Sequence, residues 1–290
     1  MANCYGLIGL TTKIILYTAW NIEPKNTVRS QSPDFKSRGH CCHPNHDQSN
    51  HRKLIKMEEN HIYQYSLINA LMSGISETGI PVSKFLQKGN QGLGTFVRMD
   101  GELLSLDGKV YQLQSEGRVR EASPSDQIPF GVATNFVPQV TKPVRLENKD
   151  AIDRELQAFN GHSKNLFLSY RIVGRFKRIK ARTVKGQEYK GQPLSELGDK
   201  QFIATYEDVD ATIVGFRSPK SWQGFAVAGE HLHFISDDRK AGGHVLEVEA
   251  ESVEMGMATA ANIHVELPTS DDFNEADLVM DDDGIKKVEG

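Results

Sequence analysis

GEHLHFISDDRKAGGHVLEVE, residues Gly229 to Glu249, reads as a strand, a turn and a returning strand, and the rest of the chain follows from it. Within EHLHFIS, His231 and His233 are two apart, so in a strand both side chains leave by the same face. DDRKAGG supplies the polar and glycine residues of a reversal, and His244 opens the returning strand HVLEVE. Three of the chain's ten histidines therefore fall within fourteen residues. Whether His244 shares the face of the other two depends on register, because a slip of one residue sends it to the opposite side. Gly242 and Gly243 allow whatever bend that register requires. Three neutral imidazoles without a cysteine describe an open catalytic zinc site better than a closed structural one. Spacing alone leaves equal room for histidines that are merely hydrogen-bonded strand residues. His162 and His264 stand singly and read as structural.

The same alternation recurs on both sides of this hairpin. NLFLSYRIVGRFKRIKART, QFIATYEDVDATIVGF, QGFAVAG and HVLEVEAESVEMGMA all read as strands. In GLGTFVRMDGELLSLDGKVYQL, Asp-Gly at 100–101 and again at 107–108 marks two successive tight hairpin turns. The segment from Ile62 to Gly74 is the exception. Its apolar residues Ile62, Tyr65, Leu67, Ile68, Leu71 and Met72 fit one helical face, closed by Gly74. Gly94 onward and Gly224 onward share an order of strand, Gly-Glu, strand, acidic turn and return strand. The expected architecture is α+β and mainly antiparallel β. It has two similar β-rich halves, few helices, and the metal site near the cleft between the halves. Residues 57–150 would form the N-terminal half. Residues 151–290 would form the C-terminal half, carrying the histidines and an acidic tail.

Composition narrows the function classes. A hydrophobic content of 38% beside 25% charge is that of an ordinary globular chain with a sizeable core. Residues 1–56 hold eight Lys and Arg against three acids, so the net charge of -4 leaves the other 234 residues near -9. An acidic body has no electrostatic footprint for nucleic acid. All three cysteines, Cys4, Cys41 and Cys42, lie in the basic piece, which leaves the body without disulfides. A reducing, cytoplasmic setting is expected, and any metal in the body must be held by nitrogen and oxygen. No run approaches the ~20 apolar residues of a membrane span. Lys13 splits the apolar opening, against a signal peptide, and the pair Cys41-Cys42 lacks zinc-site spacing. Residues 1–56 are expected to be a disordered or spurious extension, with Met57 as an alternative start.

Taken in order, GLGTFVRMDGELLSLDGKVYQ, RTV, GFRSP, QGFAVAGEHLHFISDDRKAGGHVLE and a closing LP resemble the α-acetolactate decarboxylase family. The resemblance runs from about Ile62 to the C-terminus. It implies a carboxy-lyase that converts 2-acetolactate to acetoin and carbon dioxide, with catalytic Zn2+ on His231, His233 and His244. Loss of carbon dioxide leaves an electron pair for the neighbouring ketone, which a divalent metal would polarise as a Lewis acid. No organic cofactor is implied, and no glycine-rich dinucleotide loop or P-loop is present to hold one.

The resemblance also assigns residues that composition and spacing leave anonymous. Arg182 in KARTV matches an active-site arginine, which could clamp the substrate carboxylate with two hydrogen bonds. Read alone, it is one of five basic residues in the stretch Arg175, Lys177, Arg178, Lys180 and Arg182. Glu102 matches an active-site glutamate able to bind metal or move a proton; otherwise it is an acid after a turn. Thr95 matches a threonine lining the same pocket, though threonine is also an ordinary strand residue. Glu289 fits the place of an acid that the family brings back from the C-terminal tail. The expected partners are 2-acetolactate and a second copy of the chain in a homodimer, with no membrane and no nucleic acid. The alternative is a non-catalytic metal or small-molecule binding module on the same β scaffold. The joint presence of Thr95, Glu102 and Arg182 separates the two, since a binder has no need of all three.

Overall fold

The computed structural model describes residues 58–162, 164–278 and 284–285. The expectations for residues 1–56 and for Glu289 therefore lie outside the described residues. Residues 53–290 belong to one compact unit.

Fourteen strands carry the described chain: β1 (Ile62–Tyr65), β2 (Ile80–Pro81), β3 (Gln91–Thr95), β4 (Glu102–Leu106), β5 (Lys109–Leu113), β6 (Val119–Glu121), β7 (Gln127–Ile128), β8 (Phe130–Thr134), β9 (Val140–Leu146), β10 (Phe167–Thr183), β11 (Phe202–Ser218), β12 (Gly229–Ser236), β13 (Gly242–Ala260) and β14 (Ile263–Glu266). The α-helices are short: α1 (Ile68–Met72), α2 (Val82–Phe85), α3 (Asp150–Asn160), α4 (Leu194–Leu197) and α5 (Asp271–Asn274). The first sheet has the order β14-β1-β8-β3-β4-β5-β6 and the second β10-β11-β12-β13-β9, with β2 and β7 paired separately. Every pairing between these strands is antiparallel except β1 with β14. This is the mainly antiparallel α+β fold with few helices that the alternation implied. Because β10 also pairs with β13, the second sheet curls until four of its strands close on one another. The sheets trade strands across the chain: β9 joins the second sheet and β14 the first.

Period-two alternation distributes the core. Leu93, Leu104, Leu106 and Leu113 of the first sheet meet Val214, Phe216 and Ile235 of the second. The opposite parity of the second sheet, including Leu232, Phe234, Ile213 and Met255, packs with Ile152 and Leu156 of α3. Strand β12 divides cleanly: His231, His233 and Ile235 face the first sheet, while Leu232 and Phe234 face α3.

Three local expectations change. Ile62–Tyr65 is a strand, with only Ile68–Met72 helical. β1 lies between β8 and β14 and is buried at all four residues, so its apolar run carries no alternation to reveal it. Asp107-Gly108 forms the two-residue hairpin, with φ of 49° and 85°. Asp100-Gly101 instead ends a six-residue loop between β3 and β4, in which Arg98 and Met99 hold φ of 59° and 53°. QGFAVAG makes isolated bridges rather than a strand before β12 begins at Gly229.

Candidate active site

The β12–β13 hairpin resolves the register that the sequence leaves open. Its turn spans residues 237–241, and the pairs run Ile235 with Gly242, Phe234 with Gly243 and His233 with His244. Ser236 pins the turn: its N–H donates to the Ala241 carbonyl at 2.9 Å, and its hydroxyl oxygen accepts from the Ala241 N–H at 2.9 Å. His244 thus stands opposite His233 on the same face. One strand over, Arg182 of β10 pairs with His244, and parity places it on that face too.

The three imidazoles form a nearly equilateral group, with ring centroids 5.0, 5.3 and 5.4 Å apart. One nitrogen from each lies within 4.8 Å of the others, so the group could hold a metal ion. All three are buried, and burial pushes each below its ordinary value, His233 to about 3. Neutral imidazole is the form that binds metal. His233 Nδ1 is 2.8 Å from the Leu103 carbonyl oxygen. A carbonyl only accepts, so Nδ1 carries the proton and Nε2 keeps its lone pair. Sequence offers no signal for Leu103 in this role, because a backbone oxygen does the work whatever the side chain.

Glu102 and Arg182 complete the polar group. Glu102 Oε2 lies 3.5 Å from His233 Nε2, and Oε1 lies 3.4 Å from Arg182 Nη1. Both residues are buried. Thr95 pairs directly with Glu102 across β3 and β4, which puts them on one face, and its hydroxyl donates to the Gly101 carbonyl at 2.7 Å. The structure also separates Arg182 from its basic neighbours. Arg175 pairs with Asp210, Lys177 with Glu249, and Arg178 and Lys180 with Glu247, all partly or well exposed. Arg182 alone of the five is only 4% exposed.

Arg217 of GFRSP faces the other way. It pairs with Glu230, whereas its neighbour Phe216 pairs with His231, so Arg217 points to the α3 side. There it meets Asp153 and Glu230, and Glu230 accepts from the Tyr170 hydroxyl at 2.8 Å. Burial raises the Glu230 carboxyl to about 7, against the opposing pull of Tyr170 and Arg217. His162 and His264 lie outside the three-histidine group, and His264 stacks on Tyr63.

A small cavity beside His231 is lined by Thr95, Glu102 and Arg182 and walled by Ile68, Leu71, Phe130, Val184 and Leu194. Its volume is about 20 Å³, close to one water. Ile285, four residues before Glu289, is buried in the cluster that contains Ile68, Leu71, Phe130 and Leu194.

Fold and site together define a β-rich protein with a candidate three-histidine metal centre and an acid and an arginine beside it. The sequence profile of the family described as Alpha-acetolactate decarboxylase matches residues 62–280. An alpha-acetolactate decarboxylase of Klebsiella aerogenes is 39% identical over 225 residues, which cover 75% of this chain and 84% of that one. The corresponding protein of Methanosarcina mazei is 38% identical, over 79% of this chain and 80% of its own length. The crystal structure of alpha-acetolactate decarboxylase from Bacillus subtilis strain 168 superposes with a TM-score of 0.76 at 35% identity, covering 79% of this chain and 99% of that one. The chain belongs to the alpha-acetolactate decarboxylase family. Among the described residues no helix is long and apolar enough to cross a membrane.

Proposed function

We propose that the protein catalyses zinc-dependent decarboxylation of 2-acetolactate to acetoin and carbon dioxide. One observation carries the reading: Glu102, reaching from the first sheet toward the histidines of the second, lies within 3.5 Å of both His233 and Arg182. Three neutral nitrogens and no thiolate suit a catalytic zinc that keeps a position open for substrate. When bound, the metal would supply Lewis-acid polarisation of the substrate ketone.

The chain's own groups do the rest. Arg182 pairs with the substrate carboxylate, which a planar guanidinium can meet with two parallel N–H donors. The buried setting strengthens that pairing, because water competes little for either charge. Glu102, beside both the guanidinium and the imidazole, is placed to move the proton that replaces carbon dioxide. Thr95 holds the loop before Glu102 through Gly101 and offers its hydroxyl oxygen at the cavity wall. Glu289 is the second carboxylate of the reading. Its support is that Ile285, four residues earlier, is buried in the cluster that gives Ile68, Leu71, Phe130 and Leu194 to the cavity wall.

The test is metal analysis joined to an acetoin assay on the purified protein. His233→Ala is expected to lose zinc and activity together, since two imidazoles hold the ion weakly. His264→Ala is expected to keep both. Full zinc occupancy in the His233 variant, or a parent protein that makes no acetoin, sinks the proposal.

A further inference from the structure

The cavity wall that faces the histidines is built from chain segments that no common ladder joins. Ile68 and Leu71 come from α1, Thr95 and Glu102 flank the loop between β3 and β4, Val184 follows β10, and Leu194 opens α4. Two of these segments are helices and the other two belong to different sheets.

Gln187 ties them together. It is 5% exposed, and its Nε2 donates to the Gly74 carbonyl at 2.9 Å and to the Gln192 carbonyl at 2.8 Å. Its Oε1 accepts from the Ser76 hydroxyl at 2.5 Å. Two carbonyl partners fix which end of the amide is nitrogen. Its backbone N–H donates to the Arg98 carbonyl at 2.7 Å, and its own carbonyl accepts from Arg98 Nη2 at 2.9 Å. One residue therefore joins the end of α1, the β3–β4 loop, the chain leaving β10 and the approach to α4.

The loop contact bears on the site. Arg98 and Met99 sit in the left-handed region, which non-glycine residues keep only where their surroundings enforce it. Met99 is fully buried against the cluster of Ile68, Leu71 and Leu194. Two residues later, the Gly101 carbonyl receives the Thr95 hydroxyl, and Glu102 follows. The approach is close on the other side as well: a Cβ on Gly74 would meet the Gly191 carbonyl carbon at 2.5 Å.

We infer that Gln187 is a positioning residue, which holds the β3–β4 loop so that Thr95 and Glu102 face Arg182 in the reactive arrangement. This rests on the roles proposed above for those three residues. The histidines are ordered by the β12–β13 ladder, which Gln187 does not touch, and the Leu103 carbonyl that meets His233 is fixed on both sides by the pairing of Leu103 with Gly94 and Gln112, so Gln187 acts on turnover more than on metal content.

Gln187→Glu tests it. The variant keeps the size and the oxygen facing Ser76, but sets a second oxygen against two carbonyls. At full metal occupancy and well below its Tm, kcat is expected to fall ~30–100-fold, the scale of a misplacement near 1 Å, with KM changed far less. A kcat within twofold of the parent, even with a lowered Tm, would mean that Gln187 only packs. Metal lost in step with activity would mean that it acts through the histidines. Both results overturn the inference. Should Gln187→Glu fail to fold, Ser76→Ala removes one bond of the hub; a several-fold lower kcat supports the inference and an unchanged kcat overturns it. A parent that makes no acetoin refutes the activity, and the inference with it. An active parent with an unaffected variant refutes the inference alone.

Discussion

Gly243→Ala should weaken the metal site without touching a ligand. A Cβ at Gly243 would lie 2.7 Å from the Arg182 carbonyl oxygen, where ordinary contact begins near 3.4 Å. The obstacle is backbone on the neighbouring strand, so no side chain can swing clear. β10 and β13 must part by about 0.7 Å at the point where Arg182 pairs with His244. Overpacking of this kind costs ~1–3 kcal/mol of stability. Metal–ligand distances tolerate only ~0.2 Å, so even half of that displacement carried by His244 spoils the site. Loss comparable to removing an outer-sphere partner, ~10–100-fold in metal affinity, is expected. Chelator competition with elemental analysis gives the affinity, and melts of metal-free and metal-loaded protein separate the two costs. The metal-free Tm should fall, and the rise in Tm on loading should shrink. Parent affinity and parent Tm together would show that β10 and β13 do not approach as described, and that His244 does not depend on them.

Arg182→Lys should keep its metal content and fold but lose kcat/KM by ~2–4 kcal/mol, because an ammonium cannot copy two parallel hydrogen bonds in a buried site. Steady-state kinetics on acetolactate check it, and parent values would move the carboxylate clamp elsewhere. Tyr170→Phe and Arg217→Gln probe the opposite face of the same sheet. Removing the Tyr170 hydroxyl leaves the Glu230 carboxylate short of a donor at ~1.5–3 kcal/mol, so the Tm should drop while metal content and KM stay at parent levels. A changed KM in either variant would contradict the assignment of that face.

The legible parts of this protein are those governed by local period and local chemistry. Alternation over 167–183 and 202–218 reads directly as β10 and β11, and Asp107-Gly108 reads as a hairpin, because side-chain period and turn chemistry act within a few residues. The spacing of His231 and His233 places both on one face for the same reason. The partnership of His244 is different in kind, since it depends on how the five residues 237–241 return the chain, and only the pairing of β12 with β13 shows it. β1 could not be told from a helix because burial on both faces erases the alternation, and burial is a property of its neighbours β8 and β14. Arg182 differs from Lys180 by nothing in local sequence; one is covered by the first sheet and the other pairs with Glu247 at the surface. Gln187 carries no motif at all. Its partners Gly74, Ser76 and Arg98 lie 113, 111 and 89 residues away, and contacts of that range exist only once the chain has folded.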